Sequence, residues 1–156
     1  MKQKREEDMA DYYTHFSTKL EELTDTERTW LEEELDSPED RGLKGNKLRM
    51  WEKRYGAEEA DSWPEFEFVF TGNDLCLYCD DYGNLEHVAS IIYEFLRKFR
   101  KKDYHIMEWA MTCSKPDPDG FTGGAIVITA KEVEYLSMSD LIVAKTAELE
   151  AKKLAG

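Results

Sequence analysis

The most regular stretch of the chain is Glu65-Phe66-Glu67-Phe68-Val69-Phe70, where aromatic and polar positions alternate. A period of two is the spacing of a strand with one buried face. Gly72-Asn73 supplies a two-residue turn, and Leu75 to Cys79 returns as a second strand. A turn of that length pairs Thr71 with Asp74. Phe70 then faces Leu75, Phe68 faces Leu77 and Phe66 faces Cys79, so all six share the core face. Downstream the period changes. Val88, Ile91, Ile92, Phe95 and Phe99 follow helical spacing and predict a helix from Leu85 to Lys102, capped by Asn84. Arg97, Lys98, Arg100, Lys101 and Lys102 crowd its last turns, where cations complement the helix dipole.

The flanking segments complete the pattern. Tyr12 to Leu20 reads as a strand. Thr24 and Glu27 form a capping box for a helix that turns Trp30, Leu31 and Leu35 inward. Ser37-Pro38 stops it, because the residue before proline disfavours helical geometry. Leu48, Trp51 and Tyr55 predict a second short helix closed by Gly56, and 57–64 read as a linker. Tyr104 to Cys113 is apolar on both faces, as befits an interior strand. After a loop at 114–123, Gly124 to Ala130 predicts an antiparallel neighbour. Ser137 and Asp140 cap a terminal helix from 138 to about 153. The expected fold is α+β: an antiparallel sheet of about five strands with helices on one face. Its order β-α-β-β-α-β-β-α makes it a ferredoxin-like variant. Residues 1–11 are expected to fray, leaving 12–156 as a single domain.

Composition supports a packed domain, with 41% hydrophobic and 12% aromatic residues in 156. Charge narrows the function. With 34 acidic and 21 basic residues the chain has a net charge of −13. That excludes a general nucleic-acid binder and an anionic-membrane binder, both of which need a basic footprint. The excess is not a separable tail: residues 1–62 hold 18 acidic and 11 basic residues, and 63–156 hold 16 and 10. No stretch approaches a membrane span, and Met1 to Asp11 shows no apolar signal segment. Three cysteines are too few for a disulfide framework. A cytoplasmic location is the expectation.

Candidate chemistry is sparse. Cys76-Leu-Tyr-Cys79 has redox or zinc spacing, but an odd separation on a strand sends the two thiols to opposite faces. Asp117-Pro-Asp119-Gly120 resembles part of a calcium loop, yet Lys115 and Ile126 stand where the ligands would be. No metal or other cofactor is expected. His15, His87 and His105 have no common partner, and His87 falls among polar helix positions. The segment most suited to a small-molecule site is Thr112-Cys113-Ser114-Lys115. A lysine beside Cys113 favours the thiolate, Gly123 and Gly124 lie across the loop, and His15 is the nearest base. The second candidate is a surface of ordered carboxylates: Glu21, Glu22, Glu32, Glu33, Glu34, Asp36, Glu39 and Asp40.

Several segments together resemble a known group. Tyr12-Tyr13-Thr14-His15-Phe16-Ser17, Phe95-Leu96-Arg97-Lys98-Phe99-Arg100, Thr112-Cys113-Ser114-Lys115-Pro116, Phe121, Gly123-Gly124-Ala125 and Thr129-Ala130 are similar to small uncharacterised proteins of bacteria and their phages. Members often carry arginine after the Cys-Ser-Lys-Pro run, where this chain has Asp117. The resemblance implies a bacterial or phage cytoplasmic protein and no particular activity.

Two expectations follow. The first is a non-enzymatic acidic binding protein, phage- or mobile-element-encoded, that engages a host protein and mimics nucleic-acid charge. It would bind neither nucleic acid nor membrane directly. The second is a small-ligand binder or enzyme with a site at Cys113, Ser114, Lys115, Gly123, Gly124 and His15.

Overall fold

The computed structural model describes residues 11–156. The segment expected to fray, 1–11, lies outside the described residues except for Asp11. Six strands form one antiparallel sheet: β1 (Tyr12–Leu20), β2 (Glu67–Thr71), β3 (Asp74–Cys79), β4 (Tyr104–Cys113), β5 (Thr122–Thr129) and β6 (Val133–Ser137). The four helices are α1 (Asp25–Leu35), α2 (Asn46–Tyr55), α3 (Leu85–Phe99) and α4 (Met138–Ala155). The spatial order is β2-β3-β1-β4-β5-β6. β3 is inserted between β1 and β2, and β1 between β3 and β4. Two interlocked split β-α-β units result, with β5 and β6 added beyond β4.

The hairpin register follows from its turn. Thr71 pairs with Asp74, Phe70 with Leu75 and Phe68 with Leu77. Leu75, Leu77 and Cys79 are buried, whereas Phe68, on the edge strand, stays 38% exposed. Both caps form: Thr24 Oγ1 accepts from the Glu27 amide at 3.1 Å and Glu27 Oε1 accepts from the Thr24 amide at 3.0 Å. Asn84 caps α3, which ends at Phe99 rather than running to Lys102, and Ser137 caps α4. Helices α1, α2 and α3 lie on one sheet face. Leu31, Leu35, Trp51, Ile91, Ile92 and Phe95 meet Phe16, Leu75, Leu77, Met107, Ile126 and Ile128 in one core. Each such side chain contributes about 1.5–3 kcal/mol through burial.

Three expectations change. The sheet has six strands instead of five, because Val133 to Ser137 pairs with β5 from Ile128↔Val133 to Gly124↔Ser137. The stretch 57–64 is not a linker: Trp63 is buried, its Nε1 donates to the Glu34 carbonyl at 2.8 Å, and its ring centroid lies 4.4 Å from that of Tyr55. His87 is buried rather than polar-facing. Helix α4 reaches β5 at its start through Thr122 and Ser139 but buries none of its residues.

Candidate functional site

The acidity of the chain is concentrated in one place. Residues 21–40 contain ten acidic residues and one arginine, a net charge of −9 against −13 for the whole chain. Two of the ten are not surface groups. Glu27 is buried, and Arg100 Nε donates to it at 2.8 Å. Burial pushes its pKa up, but the Arg100 and Thr24 hydrogen bonds outweigh that and hold it below the usual carboxylate range. Glu34, expected on the acidic surface, is also buried. It accepts from Tyr55 Oη at 2.7 Å, from Arg54 Nη2 at 3.2 Å and from Arg41 Nη1 at 3.3 Å. Burial first, and then the Glu34 carboxylate, push the Tyr55 phenol well above its ordinary value, which keeps it a proton donor.

The other eight are exposed: Glu21, Glu22, Asp25, Glu32, Glu33, Asp36, Glu39 and Asp40. The helical period arranges them. Asp25 and Glu32 flank the stripe of Leu31 and Leu35, which enter the core, Glu33 points to the far side, and Asp36 follows as the extended C-cap. Glu21 and Glu22 extend the row before the helix, and Glu39 and Asp40 extend it after. The N-terminal extension is pinned: Arg100 Nη2 donates to the carbonyls of Glu21 (3.0 Å) and Glu22 (3.3 Å), and Asp74 Oδ1 accepts from the Glu22 amide at 3.0 Å. Within 21–40 the single cation, Arg28, pairs with Glu32 at 2.9 Å. The basic run of α3 lies partly beside this ridge. Trp30, Glu33, Arg97 and Lys98 line a shallow groove between α1 and α3, while Arg100 is used internally.

The strand-end residues are placed differently. Cys113 pairs with Tyr12, whereas His15 pairs with Ala110. These positions have opposite parity, so the Cys113 thiol and the His15 ring lie on opposite faces of the sheet. His15 Nε2 bonds Thr112 Oγ1 at 2.8 Å on the open face. The Cys113 side chain packs against Gly120, where an added Cβ would come within 2.4 Å of the Cys113 Cβ. Ser114 ties down the residue before β1, exchanging hydrogen bonds with Asp11 at 2.8 Å in both directions. Lys115 follows β4, half-buried. Tyr12 Oη donates to Asp117 at 3.3 Å, and that carboxylate raises the phenol pKa. Gly123 and Gly124 serve strand approach: an added Cβ would lie 2.8 Å from the Trp109 carbonyl oxygen and 2.0 Å from that of Leu136. The structure brings Gly123 and Gly124 to β4 and β6; it does not bring Cys113 and His15 together.

One cluster escaped sequence reasoning. Glu59, Glu65 and His87 place ligand-type atoms within 4.8 Å of one another. The ring is already committed. The Glu65 amide donates to His87 Nδ1 at 3.1 Å, so the ring proton sits on Nε2, which donates to Glu59. No ring lone pair is left for an ion unless one of these bonds breaks. Trp63 packs on the ring at a centroid distance of 5.0 Å, which makes His87 a structural tie between α3 and the 57–65 segment. Its partners come from distant positions, so helical periodicity alone carries no trace of it.

No protein-family model, curated protein or solved structure matches this chain. Among the described residues, no helix is long and apolar enough to cross a membrane.

Proposed function

We propose that this chain is a non-enzymatic binding protein whose α1 ridge occupies a basic surface on a protein partner, standing in for nucleic-acid charge. The supporting observation is the row of eight exposed carboxylates on and around one pinned helix. The carboxylates fall in three groups, Glu21, Glu22 and Asp25, then Glu32, Glu33 and Asp36, then Glu39 and Asp40, with about 10 Å of helix between the first two groups. Order matters as much as charge. A ridge held by Arg100 and the Thr24 capping box loses little conformational entropy on binding. Like-signed charge concentrated in one segment also steers association.

The bacterial and phage resemblance of Thr112 to Pro116 and Gly123 to Ala125 supports a phage or mobile-element origin and a host protein as the partner. Separation of Cys113 and His15 onto opposite faces leaves the alternative, a catalytic or small-ligand site, without a convergent nucleophile and base.

The test is affinity capture from a bacterial lysate by the wild type and by a Glu32→Lys/Glu33→Lys/Asp36→Lys variant. Capture of basic nucleic-acid-binding proteins by the wild type, lost with the variant, is the expected result. Equal capture by both refutes the proposal.

A further inference from the structure

The segment that follows the acidic stretch has the opposite sign. Residues 41–55 hold six basic residues and one acidic residue, a net charge of +5 in a chain of −13. They form the loop into α2 and α2 itself. Arg41 and Arg54 reach Glu34. Lys44, Lys47, Arg49 and Lys53 are exposed, and none of the four pairs with a carboxylate among the described residues. Arg49 is the clearest case. Arg28, Arg41, Arg54, Arg97 and Arg100 each hold a carboxylate. The Arg49 guanidinium has no hydrogen bond, ion pair or ring contact among the described residues.

Helical spacing sets the cations in a stripe. Trp51 and Tyr55 enter the core, and Asn46, Arg49, Met50 and Lys53 recur at i, i+3, i+4 and i+7 on the side away from them. Arg49 and Lys53 are like charges one turn apart, an arrangement that destabilises a helix. Lys47 adds a cation near the start of the helix, where the dipole opposes it and no acidic residue offsets it. Met50, in the middle of the stripe, is 61% exposed. Arg and Met are both enriched where proteins meet.

The surroundings of the stripe select its partner. From Asn46 to Lys53 it is about 10 Å long. Glu34 of α1 accepts from Arg54 and Tyr55 of α2, so the stretch 21–40, with its net charge of −9, adjoins the stripe. A long polyanion such as a duplex would meet that stretch and be repelled over a Debye length of about 8–10 Å. A short carboxylate-bearing segment reaches Arg49 and Lys53 without crossing it, and a carboxylate matches the planar guanidinium in a bidentate pair.

We infer that the outer face of α2 docks a short acidic segment of a protein partner, with Arg49 and Lys53 taking carboxylates and Met50 an apolar side chain. This surface is separate from the α1 ridge and does not rest on the reading of that ridge.

Fluorescence anisotropy with the full chain at about 50 mM salt tests this. The probes are a labelled Glu-rich peptide as long as α2 with a central leucine, and a labelled single-stranded oligonucleotide of the same net charge. The peptide should bind, and Arg49→Gln/Lys53→Gln should weaken binding at least about 10-fold. The urea midpoint of that variant should stay at or above that of the wild type, because the like-charge repulsion is gone. Lys101→Gln/Lys102→Gln, exposed beyond α3, should bind within about twofold of the wild type. The Glu32→Lys/Glu33→Lys/Asp36→Lys variant should bind at least as tightly as the wild type. No peptide binding at about 100 µM, an equal loss in both glutamine variants, a loss in the α1 variant, an oligonucleotide bound as tightly as the peptide, or a wild-type dimer that Arg49→Gln/Lys53→Gln dissociates each overturns the inference.

Discussion

Truncating Glu34 to alanine removes the acceptor shared by Tyr55, Arg54 and Arg41. The cost can be worked from the partners. The carboxylate side chain is only 4% exposed, whereas Arg41 and Arg54 retain 17% and 26% exposure. Arg41 can therefore turn to water. Arg54 is less free, because its Nε is already buried with no hydrogen-bond partner. The Tyr55 hydroxyl is buried and loses its only hydrogen-bond acceptor among the described contacts. Breaking a fully buried pair costs about 3–5 kcal/mol; partial rehydration of the arginines lowers the expectation to about 3 kcal/mol. Glu34→Gln keeps an oxygen for Tyr55 and should cost about 1–2 kcal/mol. Urea unfolding reads this directly: with a slope of about 2 kcal/mol per M, the alanine variant should lose about 1.5 M in midpoint. On the same helix, Glu32→Ala and Glu33→Ala should each shift stability by less than about 0.5 kcal/mol. A Glu34→Ala loss no larger than that of Glu33→Ala would refute the division of this acidic stretch into structural and surface groups.

Two further outcomes follow from particular contacts. In Gly124→Ala the new methyl would sit 2.0 Å from the Leu136 carbonyl oxygen, so β6 must move. A loss of about 2–3 kcal/mol, with faster hydrogen exchange confined to β6 and the start of α4, is expected, and a change below about 0.5 kcal/mol would contradict the packing argument. Burial holds His105, bonded to Thr18 Oγ1 at 2.5 Å, below its ordinary pKa. As pH falls below about 6.5 the unfolded chain takes up a proton that the folded chain refuses, so stability drops until the lowered folded pKa is passed. His105→Gln should flatten part of that decline in urea midpoints between pH 7.5 and 5; an unchanged decline would show that His105 does not contribute.

Much of the fold was legible because local rules and tertiary demands agree. The Gly72-Asn73 turn and the Phe68/Phe70 alternation specify one register, and that register forms. Thr24, Asn84 and Ser137 start their helices for reasons contained within a few residues. What was not legible depends on distant partners. β6 is five residues long and alternates weakly, with Tyr135 and Leu136 pointing to opposite faces, so only its ladder with β5 defines it. Trp63 follows a polar run, and its burial comes from Trp51, Tyr55 and the Glu34 carbonyl. The acidic candidate was visible as composition, but ten carboxylates of similar appearance in 21–40 divide into eight exposed and two buried by contacts with Arg100, Arg41 and Arg54. The Cys113 candidate needed strand parity across two elements to resolve: Tyr12, not His15, stands opposite the cysteine.

The reading of the ridge as a charge mimic is tested most directly by competition. A protein captured from lysate by the wild-type chain is titrated at about 50 and about 300 mM salt, with and without duplex DNA. The account predicts at least a 100-fold loss of affinity at the higher salt and displacement by the duplex, because both compete for one basic surface. Affinity indifferent to salt, or a ternary complex in which the duplex and this chain bind together, would contradict it.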